Sequence, residues 1–112
     1  GISENIRING IIDRYLEHSR IFIFENAGDM ICLTGSADWM PRNLDNRIEV
    51  LAPVYDKEIQ ADLKRIVCYG FRDTAKGRIV DGTGENREKE REENSVPFRS
   101  QEKLYNEYKN TL

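Results

Sequence analysis

Residues 18–43 read HSRIFIFENAGDMICLTGSADWMPRN, and the two apolar runs inside this stretch decide how the chain folds. Ile21-Phe22-Ile23-Phe24 and Met30-Ile31-Cys32-Leu33 are short and rich in β-branched and aromatic side chains, and Asn26, Gly28 and Asp29 lie between them. That pattern predicts a β-hairpin. Folding back returns Gly35-Ser36 to the neighbourhood of His18 and Arg20. The latter two stand two residues apart, so an extended chain points both side chains to one face. Imidazole titrates near neutral pH, and guanidinium is a permanent planar donor matched to phosphate oxygens, so the pair suits phosphate chemistry. Glycine at position 35 admits a ligand close to the backbone, while Ser36, Asn43 and free backbone N–H groups are donors for an oxyanion. Arg42 and Arg47 add positive charge. A structural reading stands beside this one: a lone histidine at a helix end is commonly a C-terminal cap, and a Gly-Ser step after a strand is commonly only a turn.

Working outward, Ile8, Ile11, Ile12, Tyr15 and Leu16 recur at helical spacing and predict an amphipathic helix from an N-cap at Ser3 to about Glu17 or His18. After the hairpin, Ala37 to Asn46 reads as an ordered loop broken by Pro41, with Trp39 and Met40 pinning it to the core. Stacking on a nucleotide base is the rarer alternative for the indole. Ile48, Val50, Ala52 and Val54 alternate as a third strand closed by Pro53, which sets Arg47 near the loop; Arg47 and Glu49 pairing to hold Asp45 and Arg42 is the other reading. A sheet-covering helix begins at Asp56, with Ile59, Leu63, Ile66, Val67 and Phe71 on one face, and ends near Asp73-Thr74. Residues 76–80 predict a short strand, and Asp81-Gly82-Thr83-Gly84 a turn, since a lone Gly-x-Gly is weak evidence for phosphate binding.

The stretch ENREKEREEN, residues 85–94, has five acidic and three basic residues and no apolar anchor. Residues 85–99 are therefore expected to be a mobile charged linker. Residues 100–112 follow as a terminal helix capped by Ser100, with Leu104, Tyr105, Tyr108 and Leu112 in one stripe. The fold class is α/β, a small mixed sheet covered by helices in one domain over residues 1–112.

Composition sets bounds on function. At 112 residues the chain is long enough for a core without staples. Its net charge of −3 argues against general nucleic-acid affinity, so a polyanion must be met by local positive charge. The two cysteines, Cys32 and Cys68, sit in apolar contexts without metal-ligand spacing and read as reduced core residues. No run approaches the roughly 20 apolar residues that a membrane-spanning helix needs. Gly1-Ile2-Ser3 is neither a start methionine nor a signal peptide, so the chain reads as a domain excised from a longer one.

The runs SENIRINGIIDRYLEHSRIFIF and LTGSADWMPRNLDNRIEVLAPV, residues 3–24 and 33–54, together with RSQEKLYNEY near the end, resemble the last domain of the long bacterial polyphosphate kinases. The resemblance implies a phospholipase D-like module, one of two related catalytic modules. His18-x-Arg20 and Gly35-Ser36 stand where such a module has its H-x-K and G-S elements. Arg20 departs from the usual lysine, and Asn46 stands where a second arginine before Arg47 is expected.

The activity implied is reversible transfer of the terminal phosphoryl group of ATP to inorganic polyphosphate, with magnesium ligands upstream of this chain. His18 matches the family's second histidine, which contacts nucleotide phosphates in a supporting acid or base role, the phosphorylated histidine belonging to the sister module. Arg20, Ser36, Asn43, Arg42 and Arg47 then orient and neutralise phosphate. The implied partners are ATP or ADP, polyphosphate, upstream domains of the same chain and further copies in a homo-oligomer. The implied location is the cytoplasm or the periphery of the inner membrane, and the isolated chain is expected to be inactive. Two alternatives remain at this point: a half-site of a phospholipase D-like phosphodiesterase or nuclease, and a purely structural or subunit-contact domain.

Overall fold

The computed structural model describes residues 4–111, so Ser3 and Leu112, the expected cap and the end of the last stripe, lie outside the described residues. Its strands are β1 (Asn9–Ile11), β2 (Ile21–Phe24), β3 (Ile31–Gly35), β4 (Leu51–Val54) and β5 (Gly77–Ile79), and its helices α1 (Pro41–Leu44), α2 (Lys57–Arg72) and α3 (Ser100–Lys109). The α/β class holds. The strands, however, form two antiparallel sheets, β1-β5 and β2-β3-β4, where one mixed sheet was expected. Contacts gather the chain into two compact units, residues 17–67 and residues 1–16 with 68–112, where the sequence reads as one domain.

In the unit of residues 17–67 the predicted hairpin forms with Ile21 opposite Thr34 and Phe24 opposite Ile31. Its turn is a short 3-10 segment, Asn26–Gly28, in which Asn26, Ala27 and Gly28 all have positive φ; the φ of +94° at Gly28 is one a side chain disfavours. β4 adds to the other edge of β3, with Leu51 opposite Gly35 and Pro53 opposite Leu33. The third strand is thus shorter than the alternation predicts: Ile48 is fully exposed outside it, and Pro53 lies within it. Proline is tolerated there because β4 is an edge strand and needs no outward N–H.

Asp56 Oδ1 accepts from the backbone N–H of Glu58 (2.9 Å) and Ile59 (3.1 Å), starting α2 where the sequence predicts. Buried Gln60 then donates from Nε2 to the Val54 carbonyl at 2.7 Å, tying the helix to the end of β4.

Gly35 has a different purpose from the one expected. A Cβ there would lie 2.2 Å from the Val50 carbonyl oxygen and 2.6 Å from Leu51 Cδ2, so the close approach is by the chain entering β4 rather than by a ligand. Gly35→Ala is expected to cost about 1–3 kcal/mol, the usual range for overpacking, read as a lower urea midpoint at unchanged m-value.

In the other unit, the expected first helix is replaced by β1 and bends. Asn9 and Gly10 are poor helix formers, and β5 offers a partner: Asn9 pairs with Ile79, and the Ile12 N–H donates to the Lys76 carbonyl at 3.1 Å. Asn9 Nδ2 also donates to the Gly70 carbonyl at 2.9 Å. Asp73, with no exposed surface, is the hub of this unit. It accepts from the backbone N–H of Lys76 and Gly77 through one oxygen, and from Ser100 N–H and Oγ through the other.

Ser100 is accordingly the first residue of α3, with Arg99 at the cap position, and its hydroxyl serves Asp73 instead of the helix end. Residues 85–99, expected as a mobile charged linker, make hydrogen bonds at Arg87, Lys89 and Phe98. The Ile79 N–H donates to the Arg87 carbonyl, Lys89 Nζ to the Phe71 carbonyl, and the N–H groups of Thr74 and Ala75 to the Phe98 carbonyl. Charged residues tie this segment through backbone atoms and a lysine tip, which an apolar anchor count does not register. Of the tyrosines of the α3 stripe, Tyr105 is largely exposed and Tyr108 about two-thirds covered.

The core is thin. Cys32 is the one fully shielded apolar side chain among the described residues, and Cys68, expected inside, is exposed on α2. No described helix is long and apolar enough to cross a membrane.

Candidate functional site

The register of the three-stranded sheet builds one end of it into a polar cluster. Beyond the last β2–β3 pair, the Gly35 N–H donates to the Arg20 carbonyl at 3.2 Å, and the Ser36 N–H donates to the Val50 carbonyl at 3.1 Å. Arg20, Ser36 and Val50 are thus set side by side by backbone pairing alone. It also means that the N–H groups of Gly35 and Ser36 are taken by neighbouring strands, and are not the free anion donors that the sequence led us to expect.

Arg20 meets Asp38 in a two-point ion pair, Nε to Oδ1 at 2.7 Å and Nη2 to Oδ2 at 3.0 Å, while Nη1 donates to the His18 carbonyl at 3.2 Å. The pair explains why arginine suits this position: a planar fork engages both carboxylate oxygens, which an ammonium cannot do in parallel. These hydrogen bonds from Arg20 hold the Asp38 carboxyl below the usual carboxylate range, and the charges of Arg20, Arg42 and His18 act in the same direction. The Arg20 guanidinium is raised in turn, chiefly by the same bonds, with Glu49 adding to the effect. Three of the residues singled out from sequence, His18, Arg20 and Arg42, therefore share one electrostatic neighbourhood centred on Asp38.

His18 is exposed in an irregular stretch before β2. With no helix preceding it, the helix-cap reading has no helix to cap. Ser36 Oγ donates to Glu49 Oε2 and accepts from the Val50 N–H at 3.3 Å. Glu49 thereby takes Ser36 as its partner instead of Arg47. Arg47 is exposed before β4, and neither it nor Arg42 makes an ion pair among the described residues. Asn43, on the single-turn α1 that Pro41 starts, is 4 % exposed, and its side-chain nitrogen has no hydrogen-bond partner. A buried donor left open in this way costs about 1–3 kcal/mol.

Trp39 does not pin its loop to the core as expected: it is 81 % exposed, and its ring runs nearly parallel to that of Phe22, with centroids 6.5 Å apart and planes at 23°. α1 is only one turn long, so its loop has no amphipathic face with which to bury the indole. Asp38, and Ser36 as the partner of Glu49, are not visible in the sequence because Arg20–Asp38 and Ser36–Glu49 lie 18 and 13 residues apart. The one signal for Asp38 was an acidic residue just beyond a Gly-Ser step predicted to fold back on two basic groups.

An α/β module whose sheet end carries an Arg–Asp ion pair beside an exposed histidine is the class that fold and site define. The family profile described as "Polyphosphate kinase C-terminal domain 2" matches residues 1–101, and the chain belongs to that family. It is 52 % identical over 87 residues to a polyphosphate kinase of Klebsiella pneumoniae, covering 78 % of this chain and 13 % of the relative. It is 47 % identical over 110 residues to one of Vibrio vulnificus, covering 98 % and 16 %. The crystal structure of polyphosphate kinase from Porphyromonas gingivalis superimposes with a TM-score of 0.89 at 38 % identity, covering 97 % of this chain and 17 % of that one. The chain thus spans 13–16 % of the length of these two curated relatives.

Proposed function

We propose that this chain supplies part of the nucleotide and phosphate site of an ATP:polyphosphate phosphotransferase, which moves the terminal phosphoryl group of ATP reversibly onto inorganic polyphosphate. The observation that carries this reading is the Arg20–Asp38 ion pair at one end of the sheet, with Arg20 also bonded to the His18 carbonyl and the charge of Arg42 acting on Asp38. Phosphoryl transfer asks of the protein mainly positioning and charge stabilisation, and this cluster offers both. His18 contacts nucleotide phosphate and holds or moves a proton there. Arg42 and Arg47 neutralise phosphate charge; Ser36 donates to a phosphate oxygen by exchanging its one hydroxyl proton away from Glu49, and Asn43, buried with an open side-chain nitrogen, donates once its loop admits the phosphate. Arg20 has three of its five N–H groups engaged, which leaves two for phosphate while Asp38 fixes the plane of the fork.

Magnesium does not find a site in these residues. Among the described residues no group of three or more His, Cys, Asp or Glu side chains could hold a metal ion, and the carboxylates of Asp38 and Glu49 are engaged by Arg20 and Ser36. In this reading the metal ligands lie in other domains of the enzyme, the chain is inactive alone, and the enzyme works as a homo-oligomer in the cytoplasm or at the periphery of the inner membrane.

The single histidine makes the proposal testable by NMR on the 112-residue chain. Adding ATP or inorganic tripolyphosphate at neutral pH is expected to shift or broaden the His18 ring resonance in a saturable way. A resonance unmoved at millimolar ligand, in both the chain and the complete enzyme, overturns the assignment.

A further inference from the structure

Resting on that reading of the site, the geometry points to Trp39 as the platform on which the base of the nucleotide stacks. Three observations converge on it. Large apolar side chains in loops normally turn inward, yet this indole is 81 % exposed. Its orientation is nonetheless fixed, because the offset, near-parallel pairing with Phe22 on β2 holds the ring at a set angle without covering it. Finally, it is the immediate chain neighbour of Asp38, the residue on which the fields of His18, Arg20 and Arg42 converge, and consecutive Cα atoms are only about 3.8 Å apart. A held aromatic face beside a cationic, histidine-bearing cluster is complementary to a molecule with a flat heteroaromatic ring at one end and phosphates at the other.

The two substrates of the proposed reaction differ in this respect: ATP and ADP carry a base, and inorganic polyphosphate does not. Trp39 therefore discriminates between them. It strengthens nucleotide binding, leaves binding of a bare phosphate chain unchanged, and tolerates different bases, because every base has a π-face.

The test uses the complete polyphosphate kinase that contains this domain, with ATP and inorganic tripolyphosphate as paired ligands of matched phosphate number. Trp39→Ala is expected to raise the Kd for ATP roughly ten- to a hundredfold, the range that stacking of one base supplies, with the Kd for tripolyphosphate unchanged. Trp39→Phe, which keeps a π-face, is expected to retain most of the ATP affinity. Equal weakening of both ligands by Trp39→Ala, or no change in either, overturns the base platform and makes Trp39 a packing residue against another part of the enzyme. Failure of the phosphate-site reading looks different: His18→Ala and Arg42→Ala would then leave tripolyphosphate binding unchanged, whatever Trp39→Ala does.

Discussion

Replacing His18 by alanine in the complete enzyme is expected to lower the turnover of phosphoryl transfer by about 10²–10⁴-fold, the contribution a positioned acid or base makes. The structure separates this effect from a folding defect. His18 is exposed, no described helix precedes it, and its hydrogen bond is a backbone one, its carbonyl accepting from Arg20 Nη1. Removing the imidazole therefore leaves the backbone hydrogen bond in place, and exposed substitutions of this kind usually change stability by less than about 0.5 kcal/mol. Turnover should collapse while the urea midpoint stays where it was. His18→Gln sharpens the result: an amide donates a hydrogen bond but carries no titrating proton, so partial rescue assigns the histidine to phosphate contact, and no rescue assigns it to proton transfer. Full activity in His18→Ala would return the domain to a structural role.

What could be read from the chain depended on how far apart the interacting residues lie. The hairpin was legible because its strands, its turn residues and its register all fall within residues 21–35, and Asp56 announces α2 by capping residues two and three positions on. The first helix failed for the converse reason. Ile8, Ile11 and Ile12 fit a helical period, but their partners on β5 lie far downstream, Ile11 facing Gly77 and Asn9 facing Ile79, and this pairing outweighs local periodicity, with Gly10 already weakening a helix by about 1 kcal/mol.

The site divides in the same way. His18 and Arg20 were visible as an i, i+2 pair, and the fold-back of Gly35-Ser36 followed from the hairpin. The bidentate grip of Asp38 on Arg20 needed the register of the strands, and so did the steric reason for Gly35, which is the passage of Val50 and Leu51 beside it. The hydrogen bonds of Arg87 and Phe98 were not legible because they run through backbone carbonyls, and composition says nothing about where a carbonyl will point.

Asp73→Ala is expected to cost about 4 kcal/mol or more at pH 7, a large part of the 5–15 kcal/mol that holds a typical domain together. The carboxylate accepts from four groups: the N–H of Lys76 (2.7 Å) and Gly77 (3.1 Å), and the N–H and Oγ of Ser100 (both 2.8 Å). Each buried donor that loses its acceptor costs about 1–3 kcal/mol, and alanine leaves all four without theirs. The turn has little room to rearrange, since a Cβ on Gly77 would already lie 2.1 Å from the Asp73 carbonyl oxygen.

Asp73→Asn removes the charge, and because its NH2 also turns one accepting oxygen into a donor, it should lose stability at pH 7 as well. Burial alone would push the Asp73 carboxyl up, but the hydrogen bonds from Lys76, Ser100 and Gly77 outweigh it and hold the group below the ordinary value. A depressed native pKa means that the unfolded chain binds the proton more tightly. The stability supplied by the ionised carboxylate is therefore complete above the unfolded value of about 3.9, and is lost as pH falls through the lower, native one. Urea midpoints measured from pH 7 down to pH 2.5 should fall less steeply below pH 4 for Asp73→Asn than for the wild type. Some acid sensitivity should remain, because Asp13, bonded to Arg99, and Asp81, bonded to Thr83 and Arg87, are also held low. An unchanged acid limb in Asp73→Asn, together with a midpoint for Asp73→Ala within about 0.5 kcal/mol of wild type, would mean that Ser100 and the turn at Gly77 are held by their own packing rather than by this carboxylate.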